Sequence, residues 1–138
     1  SRGLGDVYKR QIIDRLYDTV DVDDEQRDFL KNSVGTVEIP KDQSAYYFGV
    51  ENLDFEEAVA SEPFINAIAF SVCLMRVKDG TDIDELKAEI RRSANPAKWI
   101  CVDVNPNDVR VESVGDLVLL IMADDSEKYS EAFYALAE

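Results

Sequence analysis

IAFSVCLMRV at Ile68–Val77 and LVLLIMA at Leu117–Ala123 are the two stretches that decide the fold of this chain. Their side chains are almost all apolar, and both runs are too short to cross a bilayer as helices. Strands with apolar side chains on both faces are typical of a sheet that is covered on both sides. The two runs therefore predict the two central strands of a β-sheet.

Two amphipathic helices are predicted around the second run. The first spans Asp82–Ala94, where acids fill the first turn and arginines the last, an order that complements the helix dipole. Asp82 is the expected N-cap, and Pro96 follows the end because proline cannot supply the next helical amide. The second helix begins with Ser126 as its expected N-cap and continues with apolar residues at helical spacing.

The remaining strands predict a mainly antiparallel sheet. Val109 and Val111 alternate with charged residues, and Gly115 supplies a turn into the run at Leu117, which together predict a hairpin. Upstream, the segment Leu53–Glu62 favours an edge strand, with a short helix as the alternative. The order of strands and helices along the chain predicts an α+β fold with a mainly antiparallel sheet of about four strands. The sheet is expected to form a ferredoxin-like layer, with both helices on one face and its fourth strand supplied from the N-terminal side.

The N-terminal third is expected to cover the other face of the sheet. Apolar residues form a helical stripe over Ile12–Val20, and the aromatic cluster Tyr46–Phe48 before Gly49 predicts a one-turn helix that the glycine ends. Between them, Asp18–Asp28 carries six acids against one arginine, which is typical of a solvated linker.

The length of 138 residues suits a single domain, which we expect to span residues 12–138. Residues 1–11, SRGLGDVYKRQ, resemble a translated sequencing-adapter read and match no part of the core pattern, so we treat them as a non-native tail. Without them the chain has 12 basic and 28 acidic residues, a formal charge of −16. The true start, with any signal peptide or lipid-attachment cysteine, is then expected to be missing.

Three segments carry a resemblance to a known family: Glu56–Gly80, Asn95–Val102 with its KWICV motif, and Val111–Asp124 with its GDLVLLIM motif. From Phe55 onward the chain resembles a family of small uncharacterised bacterial proteins that are commonly exported and lipid-anchored. The resemblance implies an extracytoplasmic, lipoprotein-like location in which the only membrane contact is the lipid anchor. It implies no activity, because the family has none established.

The composition excludes several classes of mechanism. The chain contains no histidine, which excludes histidine triads and histidine-bearing zinc sites. Its formal charge of −14 repels phosphate backbones, so nucleic acid is not an expected partner. No glycine-rich phosphate loop is recognisable, and we expect no cofactor.

A calcium loop fails at its two discriminating positions. Asp103, Asn105 and Asn107 have the spacing of loop positions 1, 3 and 5. Position 6, however, is Asp108 where glycine is needed, and position 12 is Val114 where a bidentate glutamate belongs. The segment is therefore interpreted as a polar turn, and no metal site is expected.

Three aromatic residues are the candidate binding residues: Tyr46, Tyr47 and Trp99. They either pack in the core or line a groove for a ligand. Cys73 and Cys101 lie in apolar contexts that predict buried, inert thiols, with a disulfide between them as the alternative. We expect no catalytic residue.

The function predicted from the sequence is a small non-catalytic binding or accessory domain outside the cytoplasmic membrane, and not an enzyme. Its partner would be a protein or small ligand that is neutral or basic where they meet. The alternative is a carboxylate-dependent hydrolase acting on an envelope sugar or peptide, with Glu56, Glu57 and Glu62 near Pro63 as the acids at hand. An enzyme of this kind needs a cleft with two converging carboxylates, whereas a binding module needs an exposed apolar patch.

Overall fold

Five helices and one five-stranded sheet form the part of the chain that the computed structural model describes, residues 5–65, 67–99 and 102–137. The predicted α+β class is confirmed, with five strands rather than about four. In chain order the elements are α1 (Gly5–Thr19), α2 (Asp24–Asn32), β1 (Val34–Glu38), α3 (Ser44–Phe48), β2 (Glu57–Pro63), β3 (Ser71–Arg76), α4 (Ile83–Ser93), β4 (Val109–Val114), β5 (Leu117–Met122) and α5 (Ser126–Leu136).

The two apolar runs are neighbours at the centre of the sheet. The strand order is β1-β2-β3-β5-β4, and every neighbouring pair is antiparallel. Strands β3 and β5 pair from Ser71 opposite Met122 to Arg76 opposite Leu117. All of β5 is buried, as is β3 except for its last residue. The prediction of two central antiparallel strands is therefore confirmed, although β3 begins at Ser71 and leaves Ile68 in the preceding loop.

The predicted crossover and hairpin are also confirmed. Strands β3 and β4 are parallel and lie on either side of β5, so the connection through α4 skips one place. Helix α4 begins after Asp82, whose carboxylate accepts a 3.1 Å hydrogen bond from the Glu85 amide. Gly115, with φ +58°, turns β4 into β5. The N-cap of α5 is Asp125, one residue before the predicted Ser126.

The two faces of the sheet are covered by different helices. On one side, the α4 face, helices α3 and α4 pack against alternate strand residues such as Ala60 and Leu120. On the other, the α5 face, helices α1, α2 and α5 pack against the intervening residues, such as Val72 and Leu119. Burial on both faces explains why neither central strand alternates apolar with polar residues.

The predicted ferredoxin-like strand order is present in β2-β3-β5-β4, with β2 supplied from the N-terminal side, but the placement of both predicted helices on one face is wrong. Leu86 and Ile90 of α4 are in one apolar cluster, and Tyr129 and Phe133 of α5 are in the other. Because β5 is apolar on both sides, the helical stripe of α5 fits either face, and its sequence pattern does not specify which. The expected N-terminal cover is confirmed for the α1 stripe, which shares the α5 face, while the aromatic helix α3 packs on the α4 face.

Two predictions for the N-terminal half need correction. The segment Leu53–Glu62 does contain a strand, β2, but β1 pairs with its outer side and is the true edge. Within Asp18–Asp28, predicted as a linker, α2 begins after Asp23, whose carboxylate accepts from the Gln26 amide at 2.8 Å. Helix α1 begins at Gly5 and continues through residue 11, and the domain boundary expected there stays a prediction.

Candidate functional site

The three candidate aromatic residues converge on one lysine. The Lys98 ammonium lies 4.4 Å from the ring centre of Tyr46, 5.0 Å from that of Tyr47 and 5.4 Å from that of Trp99. It also forms an ion pair with the Glu62 carboxylate of β2. We call these five residues the aromatic box.

The C-terminal cap of α3 and the loop after α4 bring the residues of the aromatic box together. Helix α3 ends at Gly49, which has φ +80° and donates its amide to the Ala45 carbonyl. A Cβ atom at Gly49 would lie 2.0 Å from the carbonyl oxygen of Ser93, so a glycine is required where α3 meets the end of α4. After α4, the Pro96 carbonyl accepts from the Val104 amide at 2.8 Å, which closes the loop that carries Lys98 and Trp99.

The aromatic box already holds a cation. The Lys98 side chain is 3% exposed, and its ammonium interacts with ring faces and a carboxylate, which is how proteins recognise ammonium ligands. Burial, followed by the nearby Glu62 charge, raises the pKa of the Tyr47 hydroxyl. Trp99 is buried as a core residue, whereas Tyr46 is 46% exposed. Lys98 therefore occupies the space between these rings, and Tyr46 is the member of the box that presents most surface to a ligand.

A concave surface, which we call the acidic groove, lies at the junction of α2, the β2–β3 loop and the start of α5. It encloses about 770 Å³. Its acidic residues are Asp21, Asp23, Glu25, Asp124 and Asp125, its apolar and aromatic residues are Val22, Phe29, Ile68, Ala69, Phe70 and Tyr129, and Gln26 and Lys128 complete the lining.

Local contacts fix the walls of the acidic groove. The Arg27 guanidinium donates to the Val20 carbonyl at 2.9 Å and to the Tyr17 carbonyl, which ties the turn between α1 and α2. The side-chain amide of Gln26 donates to the Tyr129 hydroxyl at 3.2 Å, joining α2 to α5. Phe29 packs edge-on against Phe70 with ring centres 5.5 Å apart. The groove is thus built from ordered helix ends and a packed aromatic floor.

The comparisons with known proteins are negative. No family model, curated protein or solved structure matches this chain. The family resemblance and the adapter origin of residues 1–11 accordingly stay predictions.

The β2 carboxylates proposed for acid–base work do not converge. Glu57 and Glu62 lie on opposite faces of the strand, because side chains alternate and the two positions differ by an odd number. Glu57 accepts from Arg76 at 2.5 Å and from Lys9 at 3.0 Å, and these two hydrogen bonds, that of Arg76 first, lower the pKa of its carboxyl. Lys9 lies in the segment treated as a tail, yet its side chain is fully buried beside β2.

The cysteine and the polar turn singled out by the sequence have structural roles where the structure describes them. Cys73 is a free, buried thiol, as predicted, and burial raises its pKa to about 11; Cys101 lies outside the described residues. Asn105 accepts from the Asn107 amide at 2.9 Å, which confirms the polar turn. In the ranges that the structure describes, no three Cys, Asp or Glu side chains are grouped so as to hold a metal ion.

Sequence reasoning missed the acidic groove. Its acids were visible in two places, the run beginning at Asp18 and the pair Asp124-Asp125, but the first was interpreted as a linker. Ile68 and Phe70 were assigned to a strand rather than to the loop before it. The signal that would have found the groove is the amphipathic pattern of α2, with Leu30 buried and its acids outward.

Proposed function

We propose that this protein is a non-catalytic binding domain that acts outside the cytoplasmic membrane. The observation that carries the proposal is the exposed apolar surface of the loop between β2 and β3. Phe64 is 72% exposed, Ile65 is 61% exposed and Ile68 is 36% exposed. Contiguous apolar side chains on a surface mark interaction sites, because leaving them in water costs free energy that a partner recovers.

The position of the loop supports this function. A Cβ atom on Gly35 of the edge strand would lie 2.6 Å from the Phe64 ring, so that ring packs directly over the β1 backbone. At its other end, Ile68 lines the acidic groove. The loop therefore carries exposed apolar side chains at one end and lines a concave, charged surface at the other.

Charge and family resemblance support the location. A formal charge of −14 disfavours contact with anionic lipid headgroups and nucleic acid, and it keeps a tethered domain in solution. The resemblance to exported, lipid-anchored proteins favours the same compartment. Within the described ranges, no helix is long and apolar enough to cross a membrane.

The test uses the full chain, tagged in its host, with cell fractionation and chemical cross-linking. We expect the protein outside the cytoplasmic membrane, in a cross-linked complex that the double variant Phe64→Ser/Ile65→Ser loses. The matched control is Tyr134→Ser, which removes a half-exposed aromatic side chain from α5 and should leave the complex intact. A wholly cytoplasmic protein, equal loss in both variants, or hydrolysis of an envelope substrate that one carboxylate substitution abolishes would contradict the proposal.

A further inference from the structure

We infer that the acidic groove docks a cationic, amphipathic segment of a partner protein, an inference that rests on the proposed binding function and names the chemistry of the partner. Five carboxylates and one ammonium line the groove, and the ammonium of Lys128 lies 3.4 Å from the Asp21 carboxylate. The local charge therefore remains strongly negative. A ligand carrying lysine or arginine complements it, and an acidic one is repelled.

The floor of the groove determines that the partner also has apolar side chains. Val22 and Phe29 of the α1–α2 segment are part-exposed there, and Ile68 is exposed at the rim. A purely polar cation, such as a polyamine, would leave this surface wet. A segment with apolar side chains on one face and basic ones on its flanks buries the floor and reaches the acids at the same time.

Two of the five acids of the groove stand at backbone positions that are set before any partner arrives. Asp23 caps α2, and Asp125 occupies a left-handed backbone position, φ +58°, at the start of α5. Both positions are set by backbone geometry rather than by long flexible side chains. Asp23 therefore loses little side-chain entropy when a cation binds, because its carboxylate is already held by the Gln26 backbone amide.

The direct test is calorimetric titration of the full chain with synthetic peptides of about 14 residues, close to four helical turns. The probe is a leucine–lysine peptide with helical periodicity. The comparison peptides are oligolysine of equal charge and a leucine–glutamine peptide of equal apolarity. We expect the leucine–lysine peptide to bind at least about tenfold more tightly than either, and about tenfold more weakly when salt rises from about 50 to about 500 mM.

A triple substitution tests which carboxylates contribute to binding the leucine–lysine peptide. The triple variant Asp23→Asn/Glu25→Gln/Asp125→Asn removes three carboxylates while keeping side-chain size, and asparagine suits both a helix N-cap and a left-handed position. We expect it to bind the leucine–lysine peptide about tenfold more weakly.

The matched control removes the same charge elsewhere: Glu51→Gln/Asp84→Asn/Glu131→Gln, at exposed positions outside the groove. We expect less than about a twofold change in affinity, because most of the attraction is local at moderate salt. An equal loss in both triple variants would show general charge attraction and would overturn the inference.

The apolar half of the inference is tested by Ile68→Ser, with Val37→Ser as the control on the exposed edge strand. The first variant should lose about threefold to tenfold in affinity and the second should lose none. Equal binding of oligolysine, equal binding of the neutral peptide, or no binding of any probe would overturn the inference. The proposed binding function would stand in each of these cases if the loop variant still abolished the complex in the host.

Discussion

Replacing Lys98 with methionine tests the energetics of the aromatic box, because methionine keeps the length and packing of the side chain and removes its charge. Lys98 donates to the Glu62 carboxylate, whose side chain is 20% exposed, and contacts three aromatic rings. A hydrogen bond between charged groups contributes about 1.5–3 kcal/mol, and a partly desolvated cation–π contact about 0.5–2 kcal/mol. The carboxylate left behind would be part-buried without its cation, which adds a penalty.

We therefore expect Lys98→Met to lower the free energy of unfolding by about 2–4 kcal/mol, which for a domain of this size lowers the melting temperature by roughly 10 °C. The measurement is urea unfolding at neutral pH, followed by the fluorescence of Trp99, the single tryptophan. Glu62→Gln and the double variant complete a cycle in which the double loss falls short of the sum by about 1–3 kcal/mol.

The matched control is Lys78→Met, which breaks the exposed ion pair with Asp54 at 2.7 Å. Both side chains of that pair are largely in water, so we expect no measurable change in stability. A Lys98→Met protein within about 0.5 kcal/mol of the parent, or an additive cycle, would refute the view that the aromatic box stabilises the fold through its cation.

Three further predictions concern single positions. Gly49→Ala should lower the free energy of unfolding by about 2–4 kcal/mol in urea, because the left-handed backbone is strained by a side chain and the new Cβ atom would clash with the backbone at Ser93. The control Gly115→Ala, left-handed but in open space, should cost about 1 kcal/mol. Equal losses would contradict the close packing of α3 against the end of α4. The lowered pKa of Glu57 means that its ion pairs stabilise the fold above the usual carboxyl pKa and lose this effect as pH falls through the lower folded-state pKa. Stability curves of the parent and Glu57→Gln should thus converge in acid, and parallel curves would contradict the pairing. The thiol of Cys73 should resist a thiol reagent at pH 8 until the protein is unfolded, because burial raises its pKa to about 11. The measurement uses a variant that lacks the other cysteine, and rapid labelling of the folded protein would contradict the burial of Cys73.

The sequence patterns predicted the centre of the fold better than its edges. Hydrophobic periodicity, helix caps and turn residues are local signals, and they correctly predict α4, the β4–β5 hairpin and the helix that ends at Gly49. Strand β1 was missed because VGTVE is short and leaves most of its side chains part-exposed or exposed, so it has little apolar pattern to detect. The face of the sheet on which α5 packs could not be predicted, because both faces of β5 are apolar and either can bury an apolar helical stripe.

The candidate site shows the same division between local and non-local information. Tyr46, Tyr47 and Trp99 were singled out by residue type, and the structure brings them together. Their convergence on Lys98, and its ion pair with Glu62 36 residues away, depend on how the segments pack and not on any local pattern. The acidic groove likewise joins residues near positions 23, 68 and 125, which no short motif connects.

The most direct test of docking in the acidic groove is an amide NMR titration of the isotope-labelled full chain with the leucine–lysine peptide. We expect chemical shifts to change along α2, in the β2–β3 loop and at the start of α5, which together line the acidic groove. Amides of α3 and α4, on the opposite face of the sheet, should not move. Shift changes centred on α3 and α4, or spread evenly over the whole surface, would contradict the claim that this protein binds its partner through the acidic groove.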